Sequence, residues 1–216
     1  MMSATPHLER SLRYLLAWAP AVEAAKRSLS QRPVRDAVLH AGTLSFDAHS
    51  TFGSFHGETS HVTGAIVGAQ DYGMTRGWVE ASVATIVTGS GRRDRDLRAV
   101  LDVARHPTMH FELRGGTVVS ASLGSRDVTT ALLHGALSIR GVKRAVELPA
   151  TITRNAAITR VSSVFSLDLA DYGIGGLTRL LGILRVHPRI DIRVNLWFVD
   201  RLTDFTDDVI ERARPA

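Results

Sequence analysis

The stretch RIDIRVNLWFV, residues 189–199, restricts the fold of this chain more than any other. Ile190, Ile192, Val194, Leu196 and Phe198 alternate with Asp191, Arg193 and Asn195. Successive side chains of a strand point to opposite sides, so this period of two marks a strand with one dry face and one wet face. A lone strand cannot bury its dry face, and it leaves rows of backbone groups unpaired. The rest of the chain must supply partners of the same kind.

It does. TLSFDAHSTF (43–52) places Leu44 and Phe46 on one side, and HVTGAIVGA (61–69) is a second short strand. GWVEASVATIV (77–87) carries Val79, Ala81 and Val83 on one side. PTMHFEL (107–113), GTVVSASLG (116–124), TALLHGALSI (130–139), KRAVELPATIT (143–153) and ITRVSSVFSLDL (158–169) follow. Many short strands joined by turns, with little helix between them, predict an antiparallel sandwich or an up-and-down barrel.

Four segments read as helix instead. Leu8, Leu12, Leu15, Leu16, Ala19 and Val22 recur at helical spacing in residues 1–30, and the polar SQRPVRD (30–36) links that helix to the strands. Residues 94–104 begin with Asp94 and Asp96, which suit a helix N-terminus, and His106-Pro107 is expected to stop that helix. Leu177, Leu180, Leu181 and Leu184 form a helical stripe over 175–188, and 203–214 reads as a short acidic closing helix. The expected layout is residues 1–36 as helix and linker, 37–200 as barrel, and 201–216 as a short helical tail.

Composition narrows the chemistry. Cysteine is absent, which excludes disulfides, thiolate metal sites and a cysteine nucleophile. The net charge of +5 permits anionic partners, but RRDRDLR (92–98) alternates in sign and no basic run is interleaved with aromatics, so nucleic acid is not an expected partner. No run reaches the roughly 20 apolar residues of a membrane span. Residues 11–25 carry the basic-then-apolar texture of a signal peptide, but Glu9, Pro20 and Glu23 interrupt it. A retained amphipathic helix and a cytoplasmic location are expected. Trp18 with Arg10, Arg13, Lys26 and Arg27 suits a helix lying on a membrane surface; packing across one end of the barrel suits it as well. The sequence also leaves room for a homodimer.

Several motifs go beyond pattern. DRDLRAVLDVARHPTMHFEL (94–113) resembles the YceI-like, polyisoprenoid-binding family, in which a charged short helix precedes a His or aromatic residue, a Pro and a Phe-bearing strand. LLHGALSIRGVKRAVELPATI (132–152) is similar to that family's Leu-x-Gly-x-Leu-Thr-Ile-Arg-Gly signature. In FSLDLADYGI (165–174), Asp171-Tyr172-Gly173-Ile174 resembles its Asp-Phe-Gly-Ile turn. FDAHSTF (46–52) and GETSHVTGAI (57–66) are similar to its opening segments. The matches run in family order from about residue 38 to 199. Three features depart from the pattern: the segment between Asp47 and Gly64 is compressed, with Thr59 where Phe is common; Leu169 replaces a basic residue; and the helical stretches 1–30 and 175–188 are additions. The resemblance implies a mainly β fold, a lipocalin-like antiparallel eight-stranded β-barrel, to which the residues themselves add the N-terminal helix and short helices. It implies a long isoprenoid or similar lipid inside that barrel, and no catalysis.

An eight-stranded barrel is either filled by its own side chains or holds one ligand. Period two assigns Phe46, Val79, Ala81, Val83, Met109 and Phe111 to the interior, followed by Leu133, Leu137, Ile139, Val146, Leu167 and Ile192. These serve a solid core as well as a binding wall; the small residues Ala81, Gly135 and Gly64 are expected to leave volume and favour the wall. Leu180 and Leu184 are expected to extend it. For a phosphate head, Arg179, Arg185 and His187 are the candidates, with Arg140 and Arg98 behind them, because the guanidinium fork donates two bonds at once. His49, His56 and His61, with Glu58, cluster in sequence at spacings that fit no familiar metal motif. A metal-dependent or stress-related enzyme using the His49–His61 region is the competing reading. No glycine-rich phosphate loop or nucleophile elbow is present, and no cofactor, metal or catalytic residue is assigned.

Overall fold

The computed structural model describes residues 34–51, 53–68, 71–122, 127–155, 157–175, 178–179 and 184–201, and the side chains of 176–186 are not among what it describes. The expected helices at 1–30 and 203–214 lie outside the described residues.

The chain runs β1 (Ala37–Ser50), β2 (Gly53–Thr59), β3 (Val62–Val67), β4 (Arg76–Ser82), α1 (Gly91–Val100), β5 (Thr108–Ser122), β6 (Asp127–Ile139), β7 (Val142–Asn155) and β8 (Ile158–Asp168). A 3-10 turn (Leu169–Tyr172), β9 (Thr178–Arg179) and β10 (Leu184–Asp200) complete it. The strands form one sheet in the order β2-β1-β3-β4-β5-β6-β7-β8-β10-β9, and β1 also pairs with β10. That last pairing, from Ala37 opposite Asp200 to Ser50 opposite Val186, closes an antiparallel barrel. β2 and β3 lie along the same edge of β1, at Leu44–Ser50 and Ala37–Val38 respectively. They are two halves of one wall strand, so the wall counts eight strands.

The wall has two unlike ends. At the far end the chain enters and leaves together: Arg201 N–H donates to the Asp36 carbonyl at 2.8 Å. At the helix end, residues 83–107 fold over the opening. Val83 N–H donates to the Pro107 carbonyl, Val87 bridges to Glu58 in β2, and the Asp94 carboxylate accepts from both the N–H and the hydroxyl of Thr88. Those two bonds hold the Asp94 carboxyl below its ordinary range. The 3-10 turn crosses the same opening. Arg140 donates to the Gly173 carbonyl at 2.9 Å and Arg144 to the Asp171 carbonyl at 2.9 Å. Gly173 ends the turn at φ 67°, a left-handed conformation that costs glycine nothing.

Several expectations need correction. Residues 107–113 and 116–124 are not two strands; β5 runs through both, with a bulge between Leu113 and Gly115. At Gly115 φ is 141°, and a Cβ there would sit 2.3 Å from the Gly73 carbonyl oxygen, so glycine lets the strand bend without ending. α1 starts and stops earlier than expected, and Pro107 does not end it. The chain leaves the helix through Leu101 and a left-handed Asp102 at φ 51°. The helical stripe at 175–188 fails where it is described: Thr178–Arg179 pairs with Leu184–Arg185, and β10 continues from there. β9 pairs with the start of β10 and Ser50 of β1 lies opposite Val186, and this pairing outweighs helical spacing.

Candidate functional site

Among the described residues two chambers lie along the barrel lumen. The larger, about 580 Å³, lies toward the helix end. Its wall includes Phe46, Ala48, Ile139, Leu167, Ile190 and Ile192, and its roof is Leu97, Val100 and Leu101 of the helical segment with Leu169 and Ile174. The smaller, about 150 Å³, lies toward the far end between Val62, Val79, Ala81, Leu133, Leu148, Ile152, Val161, Leu196 and Phe198. Leu44, Met109, Leu137 and Phe165 line both chambers. They come from β1, β5, β6 and β8 and form a ring across the lumen.

The ring and the walls around it have an unusual exposure. Leu44, Val79, Met109, Phe111, Leu133, Leu137, Leu148, Val161, Phe165 and Val194 face inward from mid-strand, yet none is fully buried. An inward side chain in a filled barrel touches neighbours on every side. These pack against the buried clusters or their wall neighbours on one side and line the chambers on the other.

Polar groups are distributed unevenly. Along the small chamber the Ser163 hydroxyl donates to the Pro149 carbonyl at 2.6 Å, the Thr75 hydroxyl to the Asp71 carbonyl, and Arg154 Nε to the Thr159 hydroxyl, and Tyr72 and His110 line it too. In the large chamber Arg93, Asp96, Ser50 and Ser54 stand at the rim. The Arg93 guanidinium lies 4.6 Å from the centre of the Phe55 ring and donates to the Thr88 carbonyl at 3.2 Å.

Of the residues expected from the sequence, Phe46, Ile139, Leu167 and Ile192 line the large chamber. Val79, Ala81, Phe111 and Leu133 line the small one, and Met109 and Leu137 belong to the ring. Val83 does not line either chamber. β4 ends at Ser82, and Val83 is buried in a turn against Ile86 and Leu101. Val146 lines neither chamber. Leu180 lies outside the described residues, and the Leu184 side chain is not described. Arg179 and Arg185 sit opposite the neighbouring strand segment, with only their backbones described. His187 is exposed. Arg98 is committed to the Ala84 carbonyl at 3.0 Å and Arg140 to Gly173, so both serve the fold at the helix end.

Gly135 and Gly64 do not supply the hollow. A Cβ on Gly135 would lie 2.6 Å from the Phe111 ring and 2.3 Å from the Glu112 carbonyl oxygen, and one on Gly64 would lie 2.6 Å from the Trp78 carbonyl oxygen. These glycines admit close neighbours instead of leaving space.

The three histidines are not drawn together. His49, His56 and His61 are exposed. His56 Nδ1 is 2.9 Å from Asp47, which also accepts from Arg193, and these two partners hold the Asp47 carboxyl below its ordinary range. Among the described residues no group of three or more His, Asp or Glu is placed to hold a metal.

Phe165, Leu148 and Val161 were passed over as wall residues, and Leu44, Val194, Leu196 and Phe198, though placed on apolar strand faces, were left out of the interior set. The signal was available. Extending period two backward from Leu167 reaches Phe165, Ser163 and Val161, and forward from Ile192 it reaches Val194, Leu196 and Phe198. The roof residues Leu97, Val100 and Leu101 were legible as one helix face behind the charges.

A closed antiparallel barrel with an apolar, partly empty lumen defines a class of small-molecule-enclosing barrels. The YceI-like domain model matches residues 36–198, and the chain belongs to that family. Among solved structures it is similar to a polyisoprenoid binding domain from Saccharophagus degradans implicated in plant cell wall breakdown, at 14% identity and a TM-score of 0.65, covering 78% of this chain and 99% of that one. It is also similar to BcnA of Burkholderia cenocepacia, at 16% identity and a TM-score of 0.57, covering 72% of this chain and 95% of that one. Among curated proteins none matches.

Proposed function

We propose that this protein binds a long apolar lipid, polyisoprenoid or isoprenoid-quinone-like, inside the barrel and holds it for sequestration or transport. The observation that carries this reading is the ring of mid-strand side chains that face the lumen without being buried. Family membership and the polyisoprenoid-binding description of the S. degradans relative support it. Burying apolar surface supplies the affinity, about 0.8 kcal/mol per methylene before the cost of ordering the chain. No chemistry on the ligand is part of this reading.

A native mass spectrum of the protein purified without added lipid tests it. An apolar passenger of several hundred daltons is the expected result. A barrel that takes up no isoprenoid even when offered one, or that carries a stoichiometric metal in its place, would end the proposal. Collection of the lipid from a membrane through residues 1–30 belongs to the same proposal. Vesicle flotation with and without those residues tests that part, and equal flotation would remove it.

A further inference from the structure

We propose that an apolar patch on the outer wall, where β1, β8 and β10 reach the far end, is the docking surface of this chain's own segment 203–214. The patch lies on the side of the wall away from the lumen, so nothing here depends on the lipid-binding reading.

These strands change character along their outer face. Toward the helix end the outward rows are mostly polar: Asp191 of β10 stands opposite Asp47 and Ser166, and Asn195 opposite Thr43 and Ser162. Past Asn195 they turn apolar. Trp197 comes first, then Val199, which stands between Val38 of β1 and Ile158 of β8. Val38 is 40% exposed, Val199 39% and Ile158 49%. The row continues round the wall through Ala65 to Trp78, itself 39% exposed. On the inner side of the same strands, Ala37, Leu196 and Phe198 are buried. Leu196, Trp197, Phe198 and Val199 are therefore apolar toward both faces, the pattern of a strand covered on both. Single exposed apolar residues are ordinary; a contiguous row marks a contact surface.

Segment 203–214 suits this patch in position, size and charge. The described chain leaves the wall at Arg201, two residues past Val199, so a turn at Leu202 and Thr203 lays the segment back along β10. Three adjacent strands span about 10 Å, the width of one helix. Leu202, Phe205, Val209 and Ala213 recur at helical spacing and make one apolar stripe about 17 Å long. Arg160, 5.2 Å from the centre of the Trp197 ring, borders the patch with Arg35 and Arg201. The nearby carboxylates are already engaged, Asp200 with Arg35 and Asp36 with the Gly68 N–H. Segment 203–214 carries Asp204, Asp207, Asp208 and Glu211 against Arg212 and Arg214. Residues 1–30 carry Arg10, Arg13, Lys26 and Arg27 against Glu9 and Glu23. The basic border attracts the first and repels the second. A second copy fits poorly, because a stable pair buries about 800 Å² on each partner and the centre of this patch is only Val38, Ile158, Trp197 and Val199.

The chain has no cysteine, so one engineered thiol reports on one place. In the full chain, without lipid, the thiol of Val199→Cys is expected to react with maleimide about tenfold more slowly than that of Val164→Cys, which stands exposed on β8 outside the patch. Adding Phe205→Asp with Val209→Asp should remove most of that difference; adding Leu12→Asp with Leu15→Asp should not. Separately, Phe205→p-benzoylphenylalanine in the full chain is expected to cross-link to residue 38, residue 158 or residues 197–199 of the same molecule.

Equal labelling of the two thiols in the full chain would overturn the docking. Three other results would overturn it as well. Protection relieved by the Leu12 and Leu15 pair would give the patch to residues 1–30. Protection that appears only with phosphatidylglycerol vesicles would give it to a membrane, and cross-links between two molecules would give it to a second copy. If Val199→Cys fails to fold, the cross-link, made on an unaltered wall, decides alone.

Discussion

Leu101 and Leu133 are the same residue in two regions that share a barrel and differ in what fills it. Leu101 is 7% exposed in the cluster at the helix end, where the wall residues Phe46, Ile139, Leu167 and Ile190 meet side chains from outside the wall. Those outside contributions are Val83, Ile86, Tyr172 and Ile174. Leu133 faces the small chamber from β6 and is only partly buried. The wall strands are alike in both regions: period two, apolar inward. The inserted segments make the difference. An eight-stranded ring is too wide for its own mid-strand side chains to close here; the 83–107 segment and the 3-10 turn roof the larger chamber and bury the side chains they pack against.

The largest expected effect follows from this contrast. Leu101→Ala removes a buried side chain packed in the cluster at the helix end and should cost about 2–5 kcal/mol of unfolding free energy. Leu133→Ala enlarges a space that is already open and should cost less than about 2 kcal/mol, because fewer contacts are lost. Urea unfolding of the two variants measures the gap. Equal losses would mean that the lumen is as well packed as the plug.

The same contrast explains what was legible in the sequence. Period two located most of the wall, because one buried face and one wet face force that alternation. It missed β2, and the reason lies in Phe55, Gly57 and Thr59. Two of these three positions are not apolar, so the alternation does not show. Gly57 passes beneath Phe46, where a Cβ would lie 2.4 Å from the ring, and the Thr59 hydroxyl pairs with that of Thr85 at 2.6 Å. The hollow itself was not legible. Leu101 and Leu133 look equally apolar in sequence, and whether atoms stand opposite them depends on where distant segments fold. Val83 was misplaced for the same reason: it continues the alternation of β4 but belongs to the plug.

A smaller effect tests how the plug is fastened. Arg140→Ala and Arg144→Ala each remove a charged donor from a carbonyl of the 3-10 turn. Each exposed bond should be worth about 1 kcal/mol. The readout is local: the amide of Ile174, which donates to the Leu169 carbonyl, should exchange hydrogen faster in either variant. Amides of the β1–β10 ladder near the far end should keep their protection. Faster exchange at both ends alike would show that the plug and the wall open as one unit, and would dissolve the distinction between them.

The smallest effect belongs to the outer face, where neither plug nor lumen is involved. Glu112 on β5 accepts from Arg114 and from Lys143, and these two partners hold its carboxyl at about 2. A carboxylate whose folded value is depressed contributes stability above its unfolded value and loses it as pH falls through the folded one. The contribution of Glu112 is therefore full above about pH 4.5 and disappears as the pH approaches 2. Glu112→Gln should flatten the stability profile across that window and leave it unchanged at neutral pH apart from a constant offset. Lipid retention should follow neither change, since the carboxylate lies on the wet side of the wall. A coupled loss of bound lipid in Glu112→Gln at neutral pH would show that the outer ladder and the lumen are mechanically linked, and that the two faces of β5 cannot be treated separately.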